Sequence, residues 1–201
     1  MAVMLEHPMT IDVPGSPRFQ ELCRTLMRMD VPDGYRAEII GGNIVMSPWS
    51  QGYYLPIMRS IRTQLEPYAP QGHTVDYAPY LFTFPTAERA YGPDVFAAEG
   101  SAFRTRKRHI DGEALSFVAE LTSASTRDSD WDDKTPVYGK SGVPVYLLLD
   151  MQESAATLFW NPSAQGYGSR LTVPFGEKLH VPAPFDCELD TADFEAHEPE
   201  G

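Results

Sequence analysis

At 201 residues, with 42% hydrophobic and 11% aromatic side chains, the chain can bury one sizeable core and falls within the size range of a single domain. Its net charge of −12 argues against tight nonspecific binding to nucleic acid, which depends on neutralising phosphates, and so against a simple DNA binder. No apolar run approaches the ~20 residues of a membrane span, and the first residues lack the basic and apolar regions of a secretory signal, so no membrane partner and a cytoplasmic location are expected.

In chain order, residues 1–15 contain Pro8 and Pro14 without periodicity and read as a flexible arm. Ser16-Pro17 then opens a helix in which Phe19, Leu22, Cys23, Leu26 and Met27 form one apolar stripe, ending before Pro32-Asp-Gly34. Arg36 to Ile40 and Asn43 to Met46, separated by Gly41-Gly42, predict a β-hairpin with Glu38 in its first strand. A second helix is expected from Tyr54 to Glu66, with Tyr54, Ile57, Met58, Ile61 and Leu65 on one face and Pro56 in the first turn. From His73 to Phe84 the pattern gives a strand pair, or one long strand interrupted at Pro79.

Two strands follow that each carry an acid. Gly92-Pro93 leads into Asp94 to Ala98, and Ser116 to Leu121 sets Glu120 inside an apolar run. A buried carboxylate without a partner costs about 3–5 kcal/mol, so a cation should stand beside Glu120. Neighbouring strands each offering an acid at one end make an oxygen-rich site suited to a hard divalent ion such as magnesium. Between these strands, Arg104, Arg106, Lys107 and Arg108 form a basic cluster that reads as a solvent-facing loop or short helix.

Downstream, Asp128, Asp130, Asp132 and Asp133 crowd one acidic segment before Lys134, and Pro136 requires that a helix there start near Thr135 or kink. Val145 to Asp150 is a near-continuous apolar run typical of a central strand. Ala156 to Trp160, Tyr167 to Val173 and Lys178 to Val181 read as antiparallel edge strands. Cys23 and Cys187 sit in no metal spacing, read as reduced thiols and offer zinc no site. His73, His109 and His180 show no mutual metal spacing; Trp49, Trp131 and Trp160 read as core or rim packing; Ser123, Ser125 and Thr126 read as helix-capping residues. The element order predicts an α/β fold: a sheet flanked by helices over residues 16–195, with flexible termini at 1–15 and 196–201.

Taken singly, these features have plain structural readings: Glu120 and Lys134 as an ion pair, Asp94 as a turn residue, Glu38 as an exposed strand acid. Taken in order, they resemble the Uma-type restriction endonuclease family of the PD-(D/E)xK nuclease superfamily. The matching features are Tyr35-Arg-Ala-Glu-Ile-Ile-Gly-Gly, Met46-Ser-Pro, Pro93-Asp94-Val, Val118-Ala-Glu120-Leu-Thr-Ser-Ala-Ser-Thr126, Asp130 through Lys134 to Tyr138, and Gly142-Val-Pro-Val-Tyr146 ending at Asp150. The resemblance implies a restriction-endonuclease-like mixed central sheet flanked by helices with additional antiparallel hairpins. It also implies metal-dependent hydrolysis of DNA phosphodiester bonds.

It further implies that Asp94, Glu120 and the Leu121 carbonyl hold magnesium, with manganese able to substitute, and that Glu38 adds a carboxylate. No small-molecule cofactor is implied, and a homodimer is compatible, since duplex cleavage in the superfamily often uses two subunits. The superfamily lysine normally stands two residues after the second acid; Thr122 is there instead, which nominates Lys134. The sequence also lacks the histidine that members often carry near Gly52 or Tyr53. Two other readings stay open: a catalytically silent relative acting as a nucleic-acid or protein interaction module, and a hydrolase of another phosphodiester such as RNA.

Overall fold

The computed structural model describes residues 13–77 and 79–194. Helix α1 spans Pro17–Arg28; Ser16 Oγ accepts from the Phe19 N–H, and Pro17 occupies a first-turn position where its missing N–H costs nothing. Strands β1 (Tyr35–Ile40) and β2 (Asn43–Pro48) form the expected hairpin. Gly41 and Gly42 turn it at φ +58° and +74°, angles that side chains with a Cβ resist. Helix α2 (Tyr54–Leu65) buries all five residues of its expected apolar face.

Strands β3 (His73–Asp76) and β4 (Leu81–Phe84) are separate and do not pair with each other. They are followed by β5 (Arg89–Tyr91), β6 (Val95–Glu99), β7 (His109–Asp111) and β8 (Leu115–Leu121). A short helix α3 (Arg127–Ser129) widens into a π-helical turn over Asp130–Lys134 and tightens again into α4 (Thr135–Lys140). Strands β9 (Val145–Asp150), β10 (Ala155–Ser163), β11 (Gly166–Pro174), β12 (Lys178–Val181) and β13 (Cys187–Asp190) complete the chain.

The expected mixed sheet is divided in two. One sheet has six strands in the order β11-β10-β9-β8-β6-β3 and the other five in the order β2-β1-β5-β4-β7, while β12 and β13 pair separately. The β8–β9 and β4–β7 pairs are parallel and the others antiparallel.

Period-two alternation sorts the side chains into layers. Phe117, Ala119 and Leu121 of β8, with Val145, Leu147 and Leu149 of β9, share a core with α2 and the β12–β13 pair. Val118, Tyr146 and Leu148 face the other way and share a core with Val137 and Tyr138 of α4 and with Phe82 and Tyr91 of the five-stranded sheet. On that second sheet Ile39 and Ala90 turn outward to Phe19 and Cys23 of α1. Glu120, on the face of Val118, and Glu38, on the face opposite Ile39, therefore both enter the space between the sheets.

The N-terminal arm is anchored where it joins α1, because Val13 is buried beside Phe19 and Cys23. Most of the expected flexible termini, residues 1–12 and 195–201, lie outside the described residues. Cys23 and Cys187 are buried free thiols. Among the described residues no helix is long and apolar enough to cross a membrane.

Candidate functional site

The structure brings Glu38, Asp94, Glu120 and Lys134 together at one end of the two sheets. Strands β6 and β8 run antiparallel with Val95 opposite Ala119, so the residue before β6 and the end of β8 meet. Asp94 Oδ2 accepts from the Leu121 N–H at 2.8 Å, a side-chain bond that continues the ladder where β6 stops. Asp94 Oδ1 accepts from Arg36 Nη1 and Ser50 Oγ, each at 2.9 Å, and Arg36 Nη1 also reaches the Gly92 carbonyl at 3.0 Å.

Glu38 arrives from β1. Its Oε1 accepts from the Gly92 N–H at 2.8 Å and lies 3.5 Å from Lys134 Nζ; its Oε2 is 4.0 Å from Arg36 Nε. Lys134 supplies the cation that Glu120 requires: Nζ lies 2.9 Å from Glu120 Oε1 and 3.1 Å from Asp130 Oδ1. Tyr138 donates its hydroxyl to Glu120 Oε1 at 2.9 Å. Asp130, Lys134 and Tyr138 thus share one inward face, although the helix that carries them is irregular.

The irregularity has a local cause. Pro136 has no N–H, and in a regular helix its ring would press on the carbonyl four residues back. The wider turn places the Thr135 N–H on the Asp130 carbonyl, and Thr135 Oγ1 donates to the same oxygen at 2.9 Å. Lys134 is the last residue of that turn, with Pro136 just beyond it in the first turn of α4.

Burial dominates the electrostatics. Glu120 is 1% exposed, and desolvation holds its carboxyl at a pKa of about 8 despite the pull of Lys134; Asp130, Asp94 and Glu38 add to the rise. Burial also raises the Asp130 carboxyl. For Lys134 burial acts downward, but Asp130, Glu120 and Glu38 outweigh it and hold the ammonium above its ordinary range. Arg36 is likewise held up, its desolvation outweighed by Asp94, Glu38 and Glu120.

Glu120 Oε2 is buried and has no hydrogen-bond partner among the described residues. Such an oxygen calls for an explanation, and an unfilled ligand position is one. Among the described residues no three His, Cys, Asp or Glu side chains form a ready metal cluster. Two carboxylates and a backbone carbonyl are nonetheless a sufficient protein share for magnesium, which keeps several of its waters. In a strand the N–H and C=O of one residue leave on the same side, so the Leu121 carbonyl faces the side from which its N–H reaches Asp94. The donor set fits a hard divalent ion, with Arg36 competing for Asp94 Oδ1.

A cleft of about 410 Å³ opens beside this cluster, bordered by Arg36, Glu38 and Asp94 and otherwise lined mainly by apolar and aromatic groups. Glu120 and Lys134 lie behind it, each 1% exposed. Trp49, expected to pack, is 60% exposed on its wall, whereas Trp131 and Trp160 are half-buried against the cores. The hydroxyls of Ser123, Ser125 and Thr126 bond to one another and close the turn before α3.

Two residues of the site are absent from the sequence reading. Arg36 shares a strand face with Glu38 by the period of two, a signal that would have found it. Ser50 comes from an irregular loop, where no periodicity points to Asp94.

A family model described as "Putative restriction endonuclease", Uma2, matches residues 17–192. Among solved structures, a putative nuclease belonging to DUF820 from Anabaena variabilis superposes with a TM-score of 0.62 at 18% identity, covering 84% of this chain and 94% of that one. At that identity the likeness bears on the fold, which it shows to be restriction-endonuclease-like. No curated protein matches.

Proposed function

We propose that this chain, which belongs to the Uma2 family of putative restriction endonucleases, is a divalent-metal-dependent nuclease that hydrolyses DNA phosphodiester bonds. The observation that carries the proposal is the meeting of Asp94 with the end of β8, where Leu121 N lies 2.8 Å from Asp94 Oδ2 and Glu120 Oε2 is buried without a partner. Asp94, Glu120 and the Leu121 carbonyl would hold magnesium or manganese. When bound, the ion would polarise a phosphoryl oxygen and lower the pKa of a water molecule.

The chain's own residues prepare that site. Lys134 balances the charge of Glu120, Asp130 and Glu38, and Tyr138 fixes the orientation of Glu120. Glu38 ties Lys134 to the Gly92 backbone, holding the Pro93-Asp94 turn against the cation. Because Lys134 is buried, it acts as a positioning residue, through the carboxylates it touches. Arg36 is better placed to meet a phosphate, since it borders the cleft and already binds an anionic oxygen of Asp94.

The experiment is plasmid cleavage with magnesium or manganese against a chelator control, repeated with Asp94→Asn. Metal-dependent nicking that Asp94→Asn abolishes supports the proposal. A protein that neither binds magnesium nor cleaves DNA or RNA would instead be the catalytically silent relative, a reading the Arg36–Asp94 pair and the charge of −12 would suit.

A further inference from the structure

We infer that the cleft beside Asp94 is a stacking pocket for one unpaired nucleobase, so that the substrate of this site is single-stranded nucleic acid or a strand locally unpaired. The inference rests on the nuclease reading only in placing a phosphate near Asp94; the pocket's own chemistry argues the rest. Trp49 is 60% exposed and yet held in place, its indole N–H donating to the Tyr35 carbonyl at 2.9 Å and its backbone N–H to the Gly34 carbonyl at 2.8 Å. An exposed aromatic ring that cannot turn away offers a ready stacking face.

Tyr80, also on the cleft wall, is 41% exposed, and its ring is backed by Phe103 at 5.0 Å and Phe96 at 6.0 Å. Tyr77, Leu55 and Met58 complete a mainly apolar lining. The volume of about 410 Å³ is in the range of small-ligand pockets, ~300–1,000 Å³. A paired and stacked base in a duplex cannot enter such a concavity, whereas an unstacked one can.

Charge argues the same way. Arg36 is the sole cation on the described wall of the cleft, and it already faces Asp94. A duplex held chiefly by its phosphates would need a broader basic face, which a chain of net charge −12 does not provide here.

The test measures fluorescence anisotropy of a labelled single-stranded DNA oligonucleotide and of its duplex, with wild-type protein in chelator so that nothing is cleaved. The single strand should bind tighter, with a log-affinity against log-salt slope of only about −2, matching few phosphate contacts. Trp49→Ala should weaken single-strand binding on the order of 10-fold, from the loss of one stacked base. Trp49→Phe should retain most of it, and Leu171→Ala, an exposed residue on β11, should change nothing. Circular dichroism of each variant checks folding.

Equal affinity for both forms, or unaltered single-strand binding by a folded Trp49→Ala, overturns the inference. Cleavage assays on the same oligonucleotides with magnesium or manganese separate the two proposals. Full duplex cleavage by Trp49→Ala leaves the nuclease and removes the pocket. Trp49-dependent single-strand binding without cleavage under any metal leaves the pocket and removes the nuclease.

Discussion

Lys134 Nζ lies 2.9 Å from Glu120 Oε1 with both side chains 1% exposed, so the ammonium and the carboxyl group are buried against each other. The same ammonium faces Asp130 at 3.1 Å and Glu38 at 3.5 Å. Lys134→Met would therefore leave three buried acidic groups without their shared cation, at a cost of about 3–5 kcal/mol. The geometry thus makes Lys134→Met a stability variant as well as an activity variant. Its Tm should fall by roughly 10 °C, at ~2–4 °C per kcal/mol for a chain of this size. An unchanged melting curve would show that the carboxylates take up protons at no cost.

The carboxyl of Glu120 has a pKa of about 8 against an ordinary value of 4.5. Between those values the folded protein keeps a proton that the unfolded chain has released, so this group's contribution to stability declines as pH rises through that window. In chelator, the Tm of the wild type should fall faster from about pH 5 to 8 than that of Glu120→Gln. Magnesium affinity should rise over the same window, since binding has to expel the proton. Parallel Tm profiles for the two proteins would refute the assignment.

Asp94→Asn keeps the shape and can still accept from the Leu121 N–H, so the fold should survive. Magnesium affinity measured by calorimetry should weaken by at least ~10-fold, since losing a partner that only orients a ligand already costs that much and Asp94 is proposed as a ligand itself. Undiminished binding would place the metal elsewhere.

Arg36 pairs with Asp94 Oδ1 at 2.9 Å and so competes with any cation for that oxygen. Arg36→Gln should bind magnesium several-fold tighter, up to roughly 10-fold from removing one nearby positive charge. Its cleavage rate should nonetheless fall, because the group best placed to meet a phosphate is gone. Tighter binding with faster cleavage would make Arg36 purely an inhibitor of the site.

Helix α4 lies close on the β10–β11 hairpin. A Cβ at Gly139 would sit 2.7 Å from the Tyr167 nitrogen and 2.8 Å from the Gly166 carbonyl carbon, both backbone atoms. Gly139→Ala should cost about 1–3 kcal/mol by overpacking and lower Tm by roughly 3–10 °C. Because Tyr138 moves with it, cleavage should drop further than stability alone explains. A thermal scan and a rate measured well below Tm check both parts.

What could be foreseen from sequence was the local and the obligatory. The buried face of α2, the diglycine hairpin and the need of Glu120 for a cation each follow from a period, a turn or a desolvation cost contained within a few residues. The division into two sheets does not, because strand order is set by contacts between distant segments. Strands β5 and β7 escape notice because three residues are too short to show alternation, and β13 lies beyond a proline-rich turn without a distinct pattern. Arg36 was within reach of the pattern in β1; Ser50 was not, since only the folded loop gives it a partner.

The widened turn at Asp130–Lys134 also sets a genetic vulnerability. Each residue of an α-helix rotates the chain about the axis by ~100°, so losing one codon here would swing the residues on one side away from those on the other. Either Lys134 or Tyr138 would then miss Glu120, though every strand kept its sequence. An in-frame loss of a single triplet, usually among the mildest of lesions, would in this segment disarm the cluster as surely as a change to the carboxylates themselves.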